Sequence, residues 1–170
     1  TSNFRIGHSN TARVAHLRRS KLTIVNILYY FITIKNLGKM WNIKLFVSSF
    51  RVARLATSDQ NAQPHVIPIC FEIGNDSSIY SAIDEKPKCG DFNALKRIRN
   101  ISHNPRVSVL FDKYTEDWEK LAYVLIRGEA QLKTEGIERE YGEKILREKY
   151  RQYRNYLAPG CPVIVIYPQN

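Results

Sequence analysis

Lys86 and Lys88 stand two residues apart in the charged segment 84–90 (DEKPKCG). Each is a compact positive charge on a flexible stem, so two on one loop can converge on a single phosphate. A solvated basic loop is the other reading of the same pair. His65, in PHV, is the one residue whose ordinary titration near neutrality suits general acid–base work. A lone histidine in a strand-like run also fits a purely structural role. No Ser-His-Asp order, G-x-G-x-x-G or Walker motif occurs. Cys70, Cys89 and Cys161 form no C-x-x-C pair, and His8, His16, His65 and His103 are scattered. Neither a metal site nor a disulfide framework is expected, and a reduced, cytoplasmic setting follows from that cysteine usage.

The elements that must position these residues are short and β-rich. Runs 52–57 (VARLAT) and 65–73 (HVIPICFEI), joined by SDQNAQ, read as a hairpin. GND turns the chain into 78–83 (SIYSAI), which completes an antiparallel meander. Asp91 is the expected cap of a helix whose Phe92, Leu95, Ile98 and Ile101 make one apolar face, with Lys96, Arg97 and Arg99 beside it. Asn104-Pro105 ends that helix. Strands 107–111 and 123–132 follow, separated by a polar loop that carries Trp118. Thr134 is the expected cap of a second helix reaching about Tyr153, with Ile137, Tyr141, Ile145, Leu146, Tyr150 and Tyr153 as its buried stripe. A last strand spans 163–167. Six strands and two helices in the order β-β-β-α-β-β-α-β favour a mainly β fold: a closed or nearly closed antiparallel barrel with helices packed outside.

Charge divides the 170 residues in two. The formal net charge is +10, yet the first acidic residue is Asp59, and ten basic residues precede it. The remainder is balanced, which argues against a nucleic-acid binder over the whole chain. Residues 1–39 hold one apolar run, 22–34 (LTIVNILYYFITI), after a basic flank. At thirteen residues it falls short of the ~20 a membrane span needs, and no small-residue cleavage pattern follows it. The segment reads as an upstream extension of the reading frame ahead of a targeting segment, since Met40 is the one methionine. Residues 40–170 are the expected folded domain.

From Arg51 onward the order RVARLAT, PHVIPICF, DEKPK, NPRVSVL, DKYTEDW, YRQYRNYL and PVIVIYP resembles the pyridoxamine 5′-phosphate oxidase-like superfamily of flavin-binding split barrels. It is most similar to the deazaflavin (F420)-dependent oxidoreductase branch. The resemblance covers 51–168 and implies a six-stranded split barrel of FMN-binding type, dimeric, with a cofactor groove between subunits. It implies that Lys86 and Lys88 hold the cofactor phosphate, joined by Arg97 and its neighbour Lys96. It further implies that 51–56, including Arg51 and Ala56, line the groove, that Thr57 meets the ring edge, and that Tyr80 and Ser81 stand beside the cofactor. Trp118 then covers the ring by stacking or anchors its loop. Residues 158–170 do not resemble the Trp- and Arg-containing C-terminal segment that pyridoxamine phosphate oxidases use on their substrate, so oxidation of pyridoxamine 5′-phosphate itself is not the expected activity.

The expected activity is hydride transfer between F420 or FMN and a small organic substrate by a homodimer, with no catalytic residue identified beyond His65 as a candidate. A flavin- or haem-binding carrier or sensor is the alternative.

Overall fold

The computed structural model describes residues 43–84 and 92–169. Seven strands form one antiparallel sheet: β1 Ala53–Ser58, β2 Pro64–Ile69, β3 Glu72–Ile73, β4 Ile79–Ala82, β5 Arg106–Lys113, β6 Ala122–Lys133 and β7 Val163–Pro168. Their order is β2-β1-β5-β6-β7-β4-β3. The two edge strands, β2 and β3, are neighbours in the chain, with Cys70 and Phe71 between them. Both edges of the sheet therefore belong to one extended run, and the sheet must curl back toward itself. This is the expected split barrel, with seven strands in place of six because the run 65–73 is broken in two.

A side chain from far along the sequence accounts for the break. The Phe71 N–H donates to Tyr150 Oη at 2.9 Å, and the Tyr150 hydroxyl reaches the carbonyls of Phe71 (2.8 Å) and Arg51 (2.7 Å). A backbone group satisfied by a side chain no longer needs a strand neighbour. Pro64 and Pro68 sit on β2, an edge strand, where a missing N–H is tolerated.

Alternation along the strands sends Ala53, Leu55, Val107, Val109, Phe111, Val124 and Ile126 into a core shared with Phe71, Ile79, Ile164 and Ile166. The helices are α1 Ile43–Ser48, α2 Lys96–His103, α3 Ile137–Lys149 and α4 Tyr153–Tyr156. β4 and the first four residues of β7 are buried on both faces. Their outer residues Tyr80, Val163 and Val165 pack in a second cluster with Leu146, Tyr150 and Tyr153. Gly142 permits that contact, because a Cβ there would lie 2.6 Å from Tyr80 Cδ1 and 3.0 Å from Val163 Cγ1.

Several local expectations need correction. The expected cap Asp91 lies outside the described residues; a 3₁₀ turn, Phe92–Ala94, precedes α2, and Leu95 occupies its N-cap position without a side-chain bond. Thr134 does not cap α3: Gly136 holds that position with φ +87°, a conformation glycine adopts freely. Ile137 is 85% exposed, so the buried stripe of α3 begins a turn later. The helix ends at Lys149 because Tyr150 turns extended (φ −112°, ψ 106°) and aims its hydroxyl at Arg51 and Phe71. α1, which no periodicity announced, buries Val47 completely.

Candidate functional site

Strand directions group the candidate residues. β1 is antiparallel to β5, β5 to β6, β6 to β7 and β7 to β4. β1 and β4 therefore run the same way, and their C-terminal ends lie at one end of the sheet. That end carries Thr57 and Ser58 on β1, His65 opposite Thr57 on β2, and Ser81 on β4. Lys86 and Lys88, which follow β4 in the sequence, lie outside the described residues, and Phe92 precedes α2.

Two asparagines bind α2 to this corner. Asn100, 2% exposed, donates from Nδ2 to Thr57 Oγ1 at 2.9 Å, and Asn104 Nδ2 donates to Ser58 Oγ at 2.9 Å. The start of α2 is tied down as well, since Lys96 Nζ lies 3.4 Å from Asp59 Oδ2. The Asp59 carboxylate also accepts the Gln63 and Asn61 N–H groups. These bonds, that from Gln63 foremost, hold its carboxyl below the usual range despite some desolvation. Arg97 is half-buried on the same turn. Thr57 is 4% exposed, and the half-buried His65 keeps a buried Nδ1 with no hydrogen-bond partner among the described residues.

The remaining candidates stand elsewhere. Ala56 points to the opposite face of β1, beside Val66 and Ser108. Tyr80 is 2% exposed, packed edge-on against Tyr141 with its hydroxyl donating to Asp76 Oδ2 at 3.1 Å. Burial, with Asp76 second, pushes that hydroxyl well above its ordinary pKa. Arg51 and Trp118 lie toward the other end of the sheet, where β1 starts and β5 ends. Trp118 is 76% exposed in the 3₁₀ turn Trp118–Lys120, and the Arg51 guanidinium stacks 4.5 Å from the Tyr150 ring centroid. The structure thus gathers Thr57, His65, Ser81, Lys96 and Arg97 at one end of the sheet and leaves Ala56, Tyr80, Arg51 and Trp118 apart from them. Asn100 and Asn104 were missed. The available signal was an asparagine, a weak helix former, adjoining an apolar helical stripe.

A curled antiparallel sheet with a polar corner capped by a short basic helix is a split barrel. The family model described as pyridoxamine 5′-phosphate oxidase matches residues 42–164, and the chain belongs to that family. No curated protein sequence matches it. Among solved structures it is similar to a conserved hypothetical protein from Mycobacterium tuberculosis, at 22% identity and TM-score 0.57, covering 75% of this chain and 79% of that one. It is also similar to a haem-binding protein from Mycobacterium smegmatis, at 17% identity and TM-score 0.59, over 74% of this chain but 49% of that one. The haem storage protein HutZ from Vibrio cholerae matches at 16% identity and TM-score 0.52, over 75% and 88% of the two chains. These likenesses establish the fold. Among the described residues, no helix is long and apolar enough to cross a membrane, and no cluster of three metal-ligating side chains occurs.

Proposed function

We propose that the chain is an oxidoreductase that binds a flavin-type cofactor, F420 or FMN, as a homodimer and passes a hydride to or from a small organic substrate. The observation that carries this reading is the corner where α2 is pinned across the β1–β2 hairpin. There a buried hydroxyl (Thr57), a ring nitrogen without a hydrogen-bond partner among the described residues (His65 Nδ1) and a basic helix start (Lys96, Arg97) stand at one end of the sheet. Thr57 Oγ1 also lies 3.5 Å from the His65 carbonyl, a long bond a ligand could replace, and this polar set fits a polar ring edge and an anionic tail. The cofactor supplies the hydride chemistry; the chain's part is to bind and orient it. In this reading Lys86, Lys88, Lys96 and Arg97 hold the phosphate, Ser81 supports the ribityl end, and Thr57 and His65 meet the ring. Arg51, Ala56 and Trp118 reach the groove from the second copy's side, and Tyr80 supports the strand from behind. The branch resemblance inclines the cofactor to F420.

The test is titration of the full chain with F420 and with FMN, followed by absorbance and fluorescence. Lys86→Ala with Lys88→Ala should weaken binding of the preferred cofactor about 100-fold or more, at ~1.5–3 kcal/mol per charge-assisted contact. No binding of either cofactor at micromolar concentration overturns the proposal.

The second reading is a non-catalytic carrier or sensor of flavin or haem. The His65 nitrogen, without a hydrogen-bond partner among the described residues, favours haem, as do two structural neighbours named for haem binding and haem storage. A Soret band on adding haemin that is lost in His65→Ala, with no turnover of bound flavin, would select it.

A further inference from the structure

At the other end of β1 from the pinned corner, a cavity of about 510 Å³ opens between Ser48 at the end of α1, Arg51, Glu72 on β3, and Tyr141, Lys144 and Lys149 on α3. Its volume falls in the range of small-ligand sites. Lys149 is its unusual member. The side chain is 9% exposed, and Nζ has no hydrogen-bond partner among the described residues. Glu72 Oε2 lies 3.5 Å away, beyond good hydrogen-bond length for a charged pair. The Phe71 and Tyr150 rings lie 4.0 and 5.7 Å from Nζ. Ring faces attract a cation but accept none of its three N–H bonds in the manner of an oxygen. Burial holds the ammonium below the usual lysine range, and Glu72 only partly offsets this.

The charges around it are unbalanced. Arg51, Lys144 and Lys149 face the cavity against Glu72 and Glu148. Arg51 stacks on Tyr150, and neither it nor Lys144 enters an ion pair among the described residues. Tyr141 Oη accepts the Asn75 N–H at 3.0 Å, which leaves its own proton to give.

We propose that this cavity binds a small organic carboxylate, held between Lys149 Nζ and Arg51. A single negative charge neutralises the surplus, whereas a phosphate dianion would face Glu72 and Glu148 with charge to spare. Residues 1–58 contain no acid, so that part of the chain supplies no carboxylate of its own as occupant. The cavity shares Arg51 with the proposed cofactor groove, whereas Lys149, Lys144 and Glu72 belong to the cavity alone.

Isothermal titration of the full chain with the monocarboxylates acetate, propionate and lactate, and separately with inorganic phosphate, tests it. Saturable millimolar or tighter binding of a carboxylate is expected, with phosphate about 10-fold weaker or more. Lys149→Met should weaken carboxylate binding about 10-fold or more, and Lys144→Gln, at an exposed position, about 2–3-fold. Glu72→Gln should tighten binding, because it removes a competing carboxylate; a merely structural Lys149–Glu72 pair predicts no such gain. Flavin binding should not change in Lys149→Met. Absence of saturable carboxylate binding, equal affinity in Lys149→Met, or a preference for phosphate overturns the proposal. Should Lys149→Met not fold, the Glu72→Gln and Lys144→Gln arms decide alone.

Discussion

Tyr150 joins three parts of the chain through one oxygen. Its hydroxyl accepts the Phe71 N–H and reaches the Phe71 and Arg51 carbonyls, while its ring lies beneath the Arg51 guanidinium. Tyr150→Phe keeps the ring but strands the Phe71 N–H and a carbonyl in a site that is 4% exposed. The expected loss is about 1–3 kcal/mol in urea unfolding. The same buried hydroxyl carries a pH signature. Burial pushes the hydroxyl from 10.0 up to about 12. A raised folded pKa means stability that is intact below the unfolded value and lost as pH rises through the folded one. The native chain should therefore lose stability between about pH 10 and 12, and Tyr150→Phe should lose less there. An unchanged alkaline slope in that variant would show that other buried tyrosines carry the effect.

At the scale of elements, the packing of α3 on the barrel turns on Gly142. In an open helix, Gly→Ala gains roughly 1 kcal/mol from propensity. Here the new methyl would enter the space of Tyr80 and Val163, both fully or nearly fully buried. Overpacking costs about 1–3 kcal/mol, so Gly142→Ala should lower the melting temperature. A rise would mean that α3 yields easily. The elements themselves were legible wherever burial had a period. The α2 face, with buried Ile98 and Ile101, and the end of that helix before Pro105 follow from spacing and proline sterics. The division of 65–73 was not legible, because its cause lies 79 residues away in Tyr150. Ile137 misled because a periodic stripe says nothing of where the covering sheet stops. The corner was legible through Thr57 and His65, while the asparagines that fasten it gave only a propensity signal.

For the whole molecule, the proposed homodimer turns on which face of the sheet a second copy would cover. One face of β2-β1-β5-β6 carries Val66 (60% exposed), Ala56, Ser108, Leu110, Leu125 and Tyr123, with the exposed Trp118 in the β5–β6 connection. A copy laid against this face by a two-fold axis running across the strands would bring the Trp118 end of one barrel toward the pinned corner of the other, since the two lie toward opposite ends of the same strands. Dimerisation and cofactor binding would then be one event. Val66→Glu places a charge on that face without touching the core, and so should leave the far-UV circular dichroism of the barrel unchanged, any fall in melting temperature being that of a dissociated dimer. It should raise the dimer dissociation constant about 100-fold or more, as desolvating an unpaired carboxylate at an interface does. Sedimentation velocity at several concentrations reads the first effect, and cofactor titration of the same sample reads the second. Loss of both together supports a site shared by two copies. A monomeric Val66→Glu that still binds F420 or FMN at native affinity would place the whole cofactor site within one chain.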